Sequence, residues 1–121
     1  FRIKTPADTD AAWKALGAQA DTVGLILEAF VPFEREISVI AVRGRNGEFR
    51  HWTLTENWHD NGVLSASLAP ATDTSAFEVD AVAYAQRIAE KLDYVGVFAL
   101  ELFRRECLLL STEIAARLHN S

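Results

Sequence analysis

Short apolar runs separated by turn signals make up most of this chain, and one long stretch has helical period. Residues 1–4 alternate apolar and basic, as a short strand does. Thr5-Pro6-Ala7-Asp8 then predicts a helix start, with Thr5 as N-cap, Pro6 at the first helical position and an acid in the first turn. Ala12, Ala15 and Leu16 give that helix one apolar face, and Gly17 is placed to end it in the left-handed conformation. Residues 23–30 are β-rich and mostly apolar, which predicts a buried strand interrupted by Pro32. Residues 36–43 (EISVIAVR) predict the next strand, and Gly44-Arg45-Asn46-Gly47 is a hairpin turn signal. Residues 49–55 return, Asp60-Asn61-Gly62 marks a second tight turn before residues 63–68, and Pro70 ends the meander.

The long helical stretch runs from about residue 74 to residue 93. Ser75-Ala76-Phe77-Glu78 matches a capping box, and Ala81, Ala85, Ile88 and Leu92 recur on one face. Residues 95–103 and 108–114 are two strongly apolar strands joined through Arg104-Arg105-Glu106-Cys107. Strands, helix, strands, with no βαβ alternation, predict an α+β domain with an antiparallel sheet and two helices. No repeat or linker divides residues 1–121, so they read as one domain or part of one. The chain lacks Met and opens on Phe1-Arg2-Ile3-Lys4, so both ends are expected to be cuts in a longer protein.

Composition narrows the function classes. The 121 residues are half apolar with a net charge of −5, and acids and bases are interspersed. A nucleic-acid binder is disfavoured, because its affinity rests on clustered Lys and Arg. The single Cys107 excludes an internal disulfide and a Cys-rich zinc site, and fits a reducing, cytoplasmic setting. No apolar stretch approaches the ~20 residues that cross a bilayer. Trp13, Trp52 and Trp58 are expected in the core or on strand faces.

Two acids sit inside the apolar C-terminal strands, Glu101 and Glu113. A carboxylate there must face solvent, pair with a cation or bind a metal, because an unpaired buried charge is costly. If the strands form a hairpin near Glu106-Cys107, the two acids fall almost symmetrically about the turn and could project from one face. Such a pair suits Mg²⁺ shared with phosphate oxygens, and equally suits the wet side of an amphipathic sheet. The run from Glu113 to Ser121 gathers Arg117, His119, Asn120 and Ser121, groups that recognise phosphate and move protons. It also fits a solvated chain end. His59 before a turn, and Glu28 at a strand end, are weaker signals of the same kind. The chain holds no Walker loop, Rossmann glycine fingerprint, Ser-His-Asp elbow or HExxH helix.

Longer stretches are more specific. Ile26 to Ile40, continuing to Arg43-Gly44, resembles the LE-x-FVPF-x-RE-x-SVI…RG segment of the carboxyaminoimidazole ribonucleotide synthetases, the ATPase subunits of phosphoribosylaminoimidazole carboxylase and members of the ATP-grasp superfamily. Glu56-Asn57-Trp58-His59, Gly62-Val63-Leu64 and Ser67-Leu68-Ala69-Pro70 resemble that family's EN-x-H…GIL…S-x-AP run. Leu92-Asp93-Tyr94-Val95-Gly96-Val97 with Glu101-Leu102-Phe103 resembles LDYVGV…E-x-F, and the chain end resembles NEIAPR-x-HNSGH. The resemblance covers essentially all of the chain in order.

It implies the C-terminal part of an ATP-grasp domain, without the glycine-rich phosphate loop or the flanking domains. The implied reaction uses ATP and bicarbonate to form carboxyphosphate, and carboxylates the amine of 5-aminoimidazole ribonucleotide in purine biosynthesis. By motif, Glu28, Ala29, Phe30 and Val31 would meet the adenine, Glu36 the ribose hydroxyls, and His59 the nucleotide site. Glu101 and Glu113 would ligate Mg²⁺, or Mn²⁺ in its place, with Thr112 beside them at the nucleotide. Arg117, His119, Asn120 and Ser121 would line the phosphate and bicarbonate end. A cytoplasmic homodimer is implied for the full-length protein, and no turnover by the fragment alone. Thr112 stands where the family has Asn, Ala116 where it has Pro, and the turn at Glu106 lacks the usual Asp-Gly. Related readings are another ATP-grasp ligase, such as the formate-dependent glycinamide ribonucleotide transformylase, and a non-catalytic module.

Overall fold

A computed structural model describes residues 1–119, and the chain divides into two compact units, Phe1–Val31 and Pro32–Ser121. The first unit is built on one short helix. A 3₁₀ turn at Pro6–Asp8 leads into α1 (Thr9–Leu16), followed by a second 3₁₀ turn at Gly17–Gln19. The Asp8 carboxylate caps this start, accepting the backbone N–H of Thr5 at 2.8 Å and of Lys4 at 2.9 Å. Gly17 does not end the helix in the left-handed conformation: its φ is −58°. A Cβ there would come within 2.9 Å of the Trp13 ring, which would have to shift.

The strands expected at 1–4 and 23–30 do not form, and nearly all of those residues are exposed. A strand needs a partner to receive its N–H and C=O groups, and among the described residues neither segment is paired in a ladder.

The second unit is an antiparallel sheet crossed by one helix. Its strands are β1 (Arg35–Arg43), β2 (Phe49–His51), β3 (Thr55–Asp60), β4 (Val63–Leu68), β5 (Gly96–Arg105) and β6 (Leu108–Ala115), with α2 (Glu78–Lys91) between β4 and β5. The order across the sheet is β4-β3-β1-β5-β6, and β2 also pairs with β1. The strand expected at 49–55 is broken in two. His51 pairs with Ala41 and Thr55 with Ser38, so the connection holds one residue more than β1 does opposite it, and after a last bond from Trp52 N–H to the Ile40 carbonyl residues 53–54 leave the ladder. The second turn forms as expected, with Asn61 and Gly62 both at positive φ, 49° and 79°, as a two-residue hairpin requires.

Period-two patterning divides the sheet into two faces. Ile37, Val39 and Ala41 of β1 share one face with Phe98, Leu100 and Leu102 of β5, and all six are fully buried. Helix α2 covers this face with Ala81, Ala85 and Ala89, also fully buried, and with Phe77 at its start. Alanines at successive helical turns let the helix lie close to the strands and leave the bulk to Phe98 and the leucines. The helix is shorter than expected: the Thr74 hydroxyl, rather than Ser75, reaches the Glu78 carboxylate at 3.2 Å. Leu92, expected on the buried face, is 63% exposed, because Asp93 at φ 45° turns the chain out of the helix. Trp13, Trp52 and Trp58 are each about half exposed and none joins the core.

One charged pair stands at the edge of this core. Arg35 donates through Nε to Glu56 Oε1 at 2.9 Å, and through Nη2 both to Glu56 Oε2 and to the Thr72 carbonyl. The Glu56 carboxylate holds the guanidinium above its already high ordinary value.

Hydrogen bonds from Thr5 and then Lys4 hold the Asp8 carboxyl below its ordinary value of 3.8. A depressed folded value means the cap stabilises the helix above that pH and fades as pH falls through the depressed value. Amide protection in α1 is therefore expected to drop on acidification below about pH 3.8. Asp8→Asn should show weaker protection at neutral pH and a flatter profile, measured by hydrogen exchange.

Candidate active site

The β5–β6 hairpin turns at Glu106 and Cys107, where the sequence predicts it, and its pairing is interrupted once. Leu102 opposes Ser111, and the next pair is Glu101 with Glu113, so Thr112 is an extra, bulged residue. Had the ladder run on evenly, Glu101 would face Thr112 and Leu100 would face Glu113. That register would set Glu113 on the apolar side of the sheet, beside Leu100, where Ile114 now stands. With the bulge, Ile114 opposes Leu100, Ala115 opposes Ala99, and both glutamates project from the face opposite α2. The Thr112 hydroxyl donates back to the Glu101 carbonyl at 3.3 Å.

The same face continues across the sheet. Thr55, Ser38, Glu101 and Glu113 stand in one row over β3, β1, β5 and β6. Beside them Ser67 donates to Asn57 Oδ1 at 2.8 Å, and Asn57 Nδ2 donates to Ser38 Oγ at 2.7 Å. Ser38 and Asn57 are buried, so this chain of bonds fixes the Asn57 amide in one orientation. On the neighbouring register position, His59 Nδ1 lies 2.5 Å from Glu36 Oε2. A carboxylate oxygen only accepts, so Nδ1 carries the hydrogen. Glu36, Asn57, Trp58, His59 and Phe33 help line an open pocket of about 210 Å³. Phe33 stacks on Phe103 of β5 with ring centroids 4.0 Å apart. A larger cavity of about 440 Å³, lined by Tyr84, Ile88, Leu92 and Ser111, lies on the α2 side and holds none of these acids.

Beyond β6 the chain returns to the glutamate pair. His119 Nε2 sits 2.8 Å from Glu101 Oε1, with the His119 ring largely buried. Arg117 is exposed and its guanidinium reaches the neighbouring Leu118 carbonyl at 3.2 Å. Asn120 and Ser121 lie outside the described residues. Glu28, Ala29, Phe30 and Val31 belong to the first unit, where Glu28 to Phe30 are exposed and the Arg2 guanidinium lies over the Phe30 ring at 4.2 Å.

The donor set at Glu101 and Glu113 fits a hard divalent cation. Two carboxylates stand directly opposite, a like-charged arrangement that costs stability in the absence of a cation. His119 engages one oxygen of Glu101, and among the described residues Glu113 has no hydrogen bond or ion pair. No cluster of three or more His, Cys, Asp or Glu forms among the described residues. Remaining positions of an oxygen-liganded ion would therefore fall to water and phosphate, as is usual for Mg²⁺.

Sequence reasoning misses Ser38, Asn57 and Ser67 as parts of this face. The signal lies in the alternation: Glu36 and Ser38 share one face of β1, Asn57 and His59 one face of β3. It emerges only when each strand is treated as a two-sided element rather than as an apolar run.

The ATP-grasp domain family matches residues 1–121. The chain is 44% identical over 121 residues to the N5-carboxyaminoimidazole ribonucleotide synthase of Pseudomonas aeruginosa, covering 98% of this chain and 31% of that protein. It is 41% identical to the Vibrio vulnificus (strain YJ016) synthase of the same name, covering 100% and 32%. Among solved structures, the N5-carboxyaminoimidazole ribonucleotide synthetase of Thermus thermophilus superposes with a TM-score of 0.89 at 50% identity, over 98% of this chain and 32% of that one. The Aspergillus clavatus synthase in complex with ADP and 5-aminoimidazole ribonucleotide superposes at 0.86 and 27% identity, over 99% and 31%. The chain thus spans about a third of the length of the relatives it matches.

The opposed glutamates make one direct prediction. In EDTA, Glu113→Gln should stabilise the protein by up to about 1 kcal/mol in denaturant unfolding, by removing the like charge across from Glu101. A loss of stability would mean that the two carboxylates do not face each other.

Proposed function

The chain belongs to the ATP-grasp family, and from that premise we propose that it is the nucleotide- and metal-binding part of an N5-carboxyaminoimidazole ribonucleotide synthetase. The full-length protein would convert 5-aminoimidazole ribonucleotide, ATP and bicarbonate to the N5-carboxylated ribonucleotide, ADP and phosphate. The observation that carries this reading is the Glu101–Glu113 pair, brought to one face by the Thr112 bulge. Identity to synthases of that name over essentially the whole chain supports the substrate assignment.

In this reading each residue has a physical task. Glu36, held by His59, accepts the ribose hydroxyls, and Glu28 to Val31 present backbone to the adenine. Ser38, Asn57 and Ser67 form a rigid polar floor that keeps water from competing at fixed positions. Glu101 and Glu113 would hold Mg²⁺, or Mn²⁺ in its place. When bound, the cation supplies charge neutralisation for the transferring phosphoryl group. A bicarbonate oxygen attacks the γ-phosphorus, ADP leaves, and carboxyphosphate forms. The ribonucleotide amine then takes up the carboxyl carbon, whether from carboxyphosphate or from the CO₂ it releases, with loss of phosphate. Arg117, with His119, Asn120 and Ser121 near it in sequence, would receive the anionic groups of this exchange. The Thr112 hydroxyl stands beside the pair where the family has an amide. The reading carries with it a homodimeric, cytoplasmic enzyme. No helix among the described residues is long and apolar enough to cross a membrane.

The test is ADP release by the full-length protein with Mg-ATP and bicarbonate, with and without 5-aminoimidazole ribonucleotide. The expected result is stimulation by that nucleotide, reduced by roughly 10²–10³ in Glu113→Gln, as for loss of one electrostatic partner of a transition state. Absence of stimulation in the folded protein would point to another ATP-grasp substrate. Undiminished turnover in Glu113→Gln would remove the glutamate from the site.

A further inference from the structure

The glutamate pair is not symmetric. Glu113 is exposed and its side chain has no hydrogen bond or ion pair among the described residues, whereas Glu101 is partly buried and is met by His119. The His119 side chain is nine-tenths buried, and its Nε2 lies 2.8 Å from Glu101 Oε1. The two atoms stand at ion-pair distance. The contact closes a loop of the chain: Glu101 lies in the middle of β5, and His119 lies four residues past the end of β6, which pairs with it.

We propose that His119 is a positioning residue for the metal site: it pins Oε1 of Glu101 and so turns Oε2 towards Glu113 and the cation. A carboxylate on a strand rotates about three side-chain bonds, and an opposed like charge pushes it away from its partner. A donor on one oxygen removes that freedom and leaves the other oxygen to coordinate. Outer-shell donors of this kind orient metal-ligating carboxylates and tune affinity. The same arrangement recurs along the face at Glu36, whose Oε2 is met by His59. The inference rests on the reading of Glu101 and Glu113 as metal ligands and adds to it a role for a residue assigned by resemblance only to the phosphate and bicarbonate end.

The test is Mn²⁺ binding to the full-length protein, followed by electron paramagnetic resonance without nucleotide, so that it does not depend on turnover. His119→Ala should weaken Mn²⁺ binding about 10- to 100-fold. His119→Gln, whose amide nitrogen can stand where Nε2 stands, should recover most of it. Unchanged affinity in His119→Ala, with binding lost in Glu101→Gln, would overturn the positioning role and leave the metal site standing. Equal weakening in His119→Ala and His119→Gln would also overturn it, because the donor would then not matter. Binding unaffected by Glu101→Gln would instead sink the metal-site reading itself, and the inference with it.

Discussion

A single extra residue in an antiparallel ladder decides what this sheet can do. Side chains in paired strands alternate faces, so a slip of one residue moves every later side chain to the other side. β5 and β6 both carry a glutamate among apolar residues, at spacings from their shared turn that differ by one. The Thr112 bulge absorbs that difference. Patterning on both sides enforces it: Ile114 meets Leu100 on the core face, and Ala115 meets Ala99 on the other. Without the bulge, Glu113 would stand on the α2 side of the sheet and Ile114 on the other. Alternation of faces therefore places the two acids together.

The rest of the second unit keeps that face available. α2 presents alanines to the opposite face, which lets one helix seal Ile37, Val39, Phe98, Leu100 and Leu102 from water. The polar face is then organised by side chains bonded to side chains, from Ser67 through Asn57 to Ser38, with Glu36 and Glu101 each engaged by a histidine. Buried polar groups are costly unless satisfied, and satisfied ones fix geometry. Arg35 and Glu56 do the same at the edge of the apolar face, where Phe77 and the Thr72 carbonyl complete their surroundings.

Much of this is legible in the sequence because it depends on local rules. The Asn61-Gly62 turn, the C-terminal hairpin and the antiparallel class all follow from turn chemistry and apolar runs. The candidate acids stand out because charge inside an apolar strand is expensive. What is not legible depends on partners. Residues 23–30 have strand composition yet form no strand, since composition cannot supply a neighbour. Leu92 keeps helical spacing but lies past the point where Asp93 turns the chain. Thr112 reads in sequence as a substituted ligand, and its role in register emerges only when both strands are laid side by side. Ser38 and Asn57 need the two faces of β1 and β3 to be separated.

The central claim is that Glu101 and Glu113 face one another on the polar side of the sheet and share a cation with nucleotide phosphate. A crystal structure of the full-length protein with Mn²⁺ and a non-hydrolysable ATP analogue tests it directly. The account predicts an anomalous peak within about 2–2.5 Å of one oxygen from each glutamate and of a phosphate oxygen, with Thr112 bulged from β6. A Glu113 side chain on the Leu100 side of the sheet, or a cation held by other residues, would contradict it.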